Sequence, residues 1–324
     1  MGRRKDEGAR ENHRRASARK RTQVLGGPFP SARRKIYSPI GAQTIETCAP
    51  IKRSVLDPKR FVELAIQALP SETDETTIQS LLPRVDRAVN YYLSNVQAAE
   101  IAPRLEEPLI EKMLNEPTLA KRLTFFRAFL SVALTEKARR ILKDILSGEL
   151  QIRDFKLRTL DKFELVTRLA ILGGGAAPAL LENLNKNETS DEAKRYAYMA
   201  GAGFRSKDTK AKYFSDFLSD KDISEDWIAS SLYSFNNEKH SQLTLPYLER
   251  ALTELPNLNR DRKIFFVGGW LDAFIGGQKS AEALNLVNKY LAANAKLDTD
   301  LRLKILEAVD GLERTVNIQR KFGE

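Results

Sequence analysis

From about residue 55 onward, apolar residues return every three or four positions in one run after another, and no stretch of similar length alternates with period two. A chain patterned this way can bury its apolar stripes only by packing helix on helix. The first unit shows how each helix is built. Asp57-Pro58 is a capping residue followed by proline at the first helical position, and Phe61, Leu64, Ala65 and Ala68 continue one face. Thr135, Ser224, Ser280 and Thr299 are placed as N-caps of later units. Gly148 and the run Gly173-Gly174-Gly175 are placed as C-terminal stops, and Pro70, Pro83, Pro117 and Pro256 as junctions. About fifteen helices with short connections predict an all-α protein. Pairs averaging under about forty residues match the period of helical repeats, so the expected architecture is a superhelical array of antiparallel helix pairs, an α-solenoid of HEAT or armadillo type.

Two stretches carry further signals. NETSDEAKRYAYMAGAGF, residues 187–204, reads as a helix opened by a capping box between Thr189 and Glu192, with Ala193, Tyr196, Ala197 and Ala200 facing inward and Gly201 and Gly203 at its end. In GELQIRDFKL, residues 148–157, Leu150, Ile152 and Phe155 alternate with polar residues, which predicts a short extended connection and a possible subdivision near 148–158.

Charge divides the chain more sharply than hydrophobicity does. Residues 1–50 hold twelve Lys and Arg against four Asp and Glu, so +8 of the total +10 sits there and +2 is left for residues 51–324. The basic segment is expected to be a disordered tail, and residues 51–324 the helical domain. No aromatic residue interleaves the basic residues of the first 28, which argues against a base-stacking platform and makes nucleic acid an unfavoured partner. Apolar runs are far shorter than the ~20 residues of a membrane span, and the basic start is not followed by an apolar signal region, so a soluble chain of unassigned compartment is expected.

Catalytic chemistry has few candidates. His13 and His240 are the two histidines and Cys48 the single cysteine, so no H-E-x-x-H pair and no disulfide framework can form. His240, between Lys239 and Ser241, reads as a solvated residue at a helix start. LGGGAAP at 172–178 lacks the lysine and hydroxyl of a phosphate loop, and Gly268-Gly269 in VGGWLD reads as a close helix contact or a bend. Tyr91-Tyr92, Phe125-Phe126 and Phe265-Phe266 are expected in the core. No residue is assigned as catalytic or as a metal ligand.

With the helices placed, longer phrases become informative. DPKRFVELAIQALPSETDETTIQSLL (57–82), YYLSNVQAAEIAPRLEEPL (91–109), TEKARRILKDILSGELQI (135–152), LDKFELVTRLAILG (160–173), SFNNEKHSQLTLPYLERALTELPNL (234–258) and DGLERTVNIQRKF (310–322) resemble, in that order, the C-terminal helical domain of the aminopeptidase N family of zinc peptidases. The resemblance implies a helical bowl that covers an active site and limits the peptides admitted. It implies no cofactor in this chain, because the family's zinc belongs to an upstream domain carrying H-E-x-x-H and G-A-M-E-N, neither of which occurs here. The expectation is a detached or split piece that is inactive alone. Its expected partners are a separately encoded catalytic domain or peptides, with self-association through an apolar patch on the amino-terminal helices. Arg314, Asn317 and Arg320, at i, i+3 and i+6 on the last helix, are the candidate concave-face contacts.

Overall fold

The computed structural model describes residues 56–219 and 222–323, and the basic segment with His13 and Cys48 lies outside them. Among the described residues there are fifteen α-helices, one π-helical turn and one 3-10 turn, and no strand. In chain order the α-helices are α1 (Pro58–Ala68), α2 (Glu75–Arg87), α3 (Asn95–Asn115), α4 (Leu119–Val132), α5 (Glu136–Ser147), α6 (Thr159–Ile171), α7 (Ala177–Asn187), α8 (Asp191–Ala202), α9 (Lys207–Ser219), α10 (Glu225–Phe235), α11 (Ser241–Thr253), α12 (Leu255–Asp261), α13 (Ile264–Phe274), α14 (Ala281–Ala293) and α15 (Thr299–Phe322). The π turn, Ala88–Tyr92, continues α2, and the 3-10 turn, Glu238–His240, leads into α11.

Most helix starts are those the capping residues dictate. The Asp57 carboxylate accepts from the Lys59 amide at 2.8 Å, and Thr135, Ser224 and Ser280 accept from amides three residues on. Two caps shift by one residue. Ser190 rather than Thr189 receives the Ala193 amide at 3.1 Å, so no capping box forms there, and Glu192 instead accepts from the Tyr196 hydroxyl at 2.5 Å. Asp298 rather than Thr299 caps α15. In each case two adjacent residues are competent acceptors and the extended backbone selects one.

Proline does not always break a helix in the first half. Pro83, expected at a junction, lies inside α2, and Pro103 and Pro108 lie inside α3. Pro83 and Pro103 are exposed, so the carbonyl each leaves without an amide partner faces water and the helix continues. The 148–157 stretch is not extended. Gly148 closes α5 in the left-handed region at φ 85°, Asp154 is also left-handed at φ 61°, and Ile152 drops into the core from a series of turns.

Alternate helices touch in sequence: α2 meets α4, α4 meets α6, α6 meets α8, α8 meets α10, α10 meets α13, and α13 meets α15. α15 then returns to the π turn after α2. Two side chains fasten that return. Gln319 donates to the Tyr91 carbonyl at 2.7 Å and Gln97 donates to the Phe322 carbonyl at 2.6 Å. One apolar core runs from α1 through α6 without a break at 148–158 and takes in Ile318 of α15. A second, rich in aromatic residues, joins α9, α10, α11, α13, α14 and α15 around Trp270, Phe235 and Phe274. Phe163, Ala193 and Ala200 form a small cluster where α6 meets α8.

Close packing of α8 on α9 depends on Gly201. A Cβ there would stand 2.2 Å from the Tyr213 hydroxyl, which donates to the Tyr198 carbonyl at 3.0 Å. Gly268 and Gly269 are different. A Cβ at either position would meet nothing within 4 Å, so they make no close helix contact. They floor an open hollow beside Phe265, which is 89 % exposed while Phe266 is buried, so only half of that pair joins the core. Among the described residues the exposed large apolar side chains are Val96 on α3, Tyr233 on α10, Phe265 on α13, and Leu303 and Leu306 on α15.

Candidate functional site

The helices that touch in sequence bring their C-terminal ends to a line of buried basic side chains. The last carbonyls of a helix have no partner of their own, and the helix dipole makes that end attractive to a positive or hydrogen-donating group. Arg122 donates to the carbonyls of Glu116 and Pro117 just past α3, and Arg168 donates to the Ala133 carbonyl just past α4 at 2.8 Å. Lys210, fully buried, donates to the last residues of two helices, the carbonyls of Ala202 and Phe235, both at 2.7 Å, with its ammonium 4.9 Å from the Phe235 ring centre. Burial pushes Lys210 down to about 7.

His240 belongs to this line. It is 1 % exposed, not solvated, and its Nε2 lies 2.9 Å from the carbonyl of Ile171, the last residue of α6. A carbonyl only accepts, so Nε2 carries the hydrogen and Nδ1 is the bare nitrogen, with no partner among the described residues. Burial first, and then the Lys210 charge, push the imidazole down to about 4.

Beside this line opens a cavity of about 610 Å³, lined by the π turn, α4, α6, α8, α10 and the 3-10 turn. Its walls carry charges of both signs and two tyrosines, Tyr91 and Tyr233. Some of those charges are already engaged. Arg158 grips Asp161 with two bonds of 2.8 and 2.9 Å; burial works against the Asp161 charge, yet these bonds and the Arg158 amide hold its carboxyl below the usual range. Asp86 accepts from Asn90 Nδ2 at 2.8 Å. Burial, followed by repulsion from Asp161, raises the Glu164 carboxyl pKa.

Arg168 and Glu238 are the two most deeply placed charges of the wall, 6 % and 7 % exposed. Burial lowers the Arg168 pKa, opposed by the charges of Glu238, Asp86 and Glu106. Burial and the Arg168 charge push Lys239 down to about 8, and burial also lowers Lys279, whose ammonium reaches the Asn90 carbonyl at 3.5 Å. Sequence reasoning passed over this cluster. The one available signal was Arg168 itself, a guanidinium inside the apolar run of FELVTRLAIL.

Arg314, Asn317 and Arg320 lie together on α15: Arg314 pairs with Asp310, and Arg320 donates to Asn317 Oδ1 at 3.0 Å. None of the three lines the cavity. Among the described residues no group of three or more His, Cys, Asp or Glu is arranged to hold a metal ion, and no helix is long and apolar enough to cross a membrane.

Fold and site together define an all-α helical array whose alternate helices wall an open, charged cavity. Residues 51–314 match the model of the ERAP1-like C-terminal domain, and the chain belongs to that family. It is also similar to Aminopeptidase N of Streptomyces lividans, with 22 % identity over 265 residues. That match takes in 80 % of this chain and 30 % of the relative, so the chain spans less than a third of the relative's length.

Proposed function

We propose that the helical array is the non-catalytic, peptide-facing part of a zinc aminopeptidase of the aminopeptidase N type, admitting peptides and limiting their size rather than cutting them. The observation that carries this reading is the 610 Å³ cavity, which offers charges of both signs, two tyrosines and the apolar walls of Leu130 and Met199 to a chain of amides and mixed side chains. Membership of the family supports it, as does the name of the Streptomyces lividans relative. The partner in this reading is a catalytic part carrying H-E-x-x-H, on the same or another polypeptide, and zinc belongs to that part. Arg314, Asn317 and Arg320 are proposed as an outlying basic strip that meets peptide only at its far end.

The test is cross-linking with a peptide that carries a photoreactive benzophenone. Adducts on Tyr91, Met199 and Tyr233, displaced by unlabelled peptide, are expected. Adducts scattered over the outer surface and indifferent to competitor would contradict the reading.

A further inference from the structure

Three carboxylates, Glu238, Asp86 and Glu106, lie close enough to act on the Arg168 charge. Two are satisfied elsewhere. Glu106 accepts from the amides of Leu134 and Thr135 at 2.6 and 3.0 Å and from the Thr135 hydroxyl, and Asp86 accepts from Asn90. Among the described residues the Glu238 carboxylate accepts no hydrogen bond and forms no ion pair, although it is 7 % exposed and lines the cavity. Arg168 spends Nη2 on the Ala133 carbonyl, while its Nη1 has no partner among the described residues. Two opposite full charges, each more than nine-tenths buried, thus share one cavity wall without touching. Neither Arg168 Nη1 nor the Glu238 carboxylate oxygens are among the fully buried unpartnered atoms, so both open on the cavity, where one ligand carrying both charges reaches them together.

We propose that Arg168 and Glu238 form a split ion pair that binds the zwitterion of a free α-amino acid, its carboxylate on Arg168 Nη1 and its ammonium on Glu238. A neutral amide would meet both charges with partial dipoles only, whereas a zwitterion answers each with a full opposite charge. Tyr91, Leu130 and Met199, on the same walls, receive an apolar side chain. This proposal rests on the reading of the cavity as peptide-facing and adds regulation to it. An aminopeptidase releases free amino acids, and one held here occupies the space a peptide would enter.

The experiment is isothermal titration of the full chain with L-leucine, N-acetyl-L-leucine and L-leucinamide, with the Glu238→Gln variant alongside. Leucine binds, and blocking either end weakens binding by about ten-fold or more. Glu238→Gln weakens leucine by a similar factor and leaves N-acetyl-leucine unchanged. Absence of leucine binding overturns the proposal, as do equal binding of leucine and N-acetyl-leucine, or leucine binding indifferent to Glu238→Gln. Should the variant melt early, the three wild-type titrations decide alone. The titration probes a free amino acid and the cross-linking a peptide, so failure here leaves the peptide cross-linking result standing on its own.

Discussion

Between pH 6.5 and 4, acidification should weaken this fold largely through the His240 side chain. His240 is buried with Nε2–H donated to the Ile171 carbonyl and with Nδ1 unpartnered among the described residues. Protonating Nδ1 would place a second N–H, and a charge beside Lys210, where no acceptor is in reach. The folded imidazole is therefore held at about 4 against an unfolded value of 6.5. For a base whose folded pKa is depressed, the unfolded chain binds more protons across that window. The stabilisation is whole above 6.5 and is lost as pH falls from 6.5 toward 4. The separation corresponds to about 3 kcal/mol at full effect. Urea denaturation at a series of pH values through the window measures it, with His240→Gln as the comparison, since glutamine still donates to Ile171 but does not titrate. The wild type should lose about 3 kcal/mol more than the variant on going down the window. Parallel slopes for the two proteins would refute the assignment, because carboxylates common to both would then account for the loss.

Other perturbations follow from the same packing. Lys210→Met removes two bonds to helix-end carbonyls and leaves both acceptors buried, so the fold should lose about 3 to 5 kcal/mol, read as a fall in Tm of roughly 10 °C. Gly201→Ala drives a methyl group into the Tyr213 hydroxyl and should cost about 1 to 3 kcal/mol in urea denaturation. Adding Tyr213→Phe should recover part of that loss. Phe265→Ser, at a side chain 89 % exposed, should leave stability within about 0.5 kcal/mol of wild type and raise the solubility limit measured by light scattering.

Local features of the fold were legible because local chemistry decides them. Asp57, Thr135, Ser224 and Ser280 cap where the pattern places them, since a cap bond closes within three residues. The all-α class, with no strand among the described residues, followed from periodicity together with the capping and punctuating residues. What escaped was decided at a distance. His240 has wholly polar neighbours in sequence and looks solvated, but its partner, Ile171, is 69 residues away. Gln319 and Tyr91, which fasten the last helix to the π turn, are 228 residues apart. Pro83 looks like a helix stop until its exposed side is known, and Gly268-Gly269 looks like a contact until the facing space proves empty. The Arg168 and Glu238 wall was invisible for the same reason. Only the packing of α6 on α8 and of α8 on α10 brings α6 and the 3-10 turn to one cavity.

The most direct test is hydrolysis of leucine p-nitroanilide and of longer peptides by the Streptomyces lividans Aminopeptidase N prepared without the stretch that this chain matches, with and without this chain added. This chain alone should give no turnover, and adding it should change the size range of peptides cleaved by a chelator-sensitive activity. Chelator-sensitive turnover by this chain alone, or a peptide size range that its addition leaves untouched, would contradict the account.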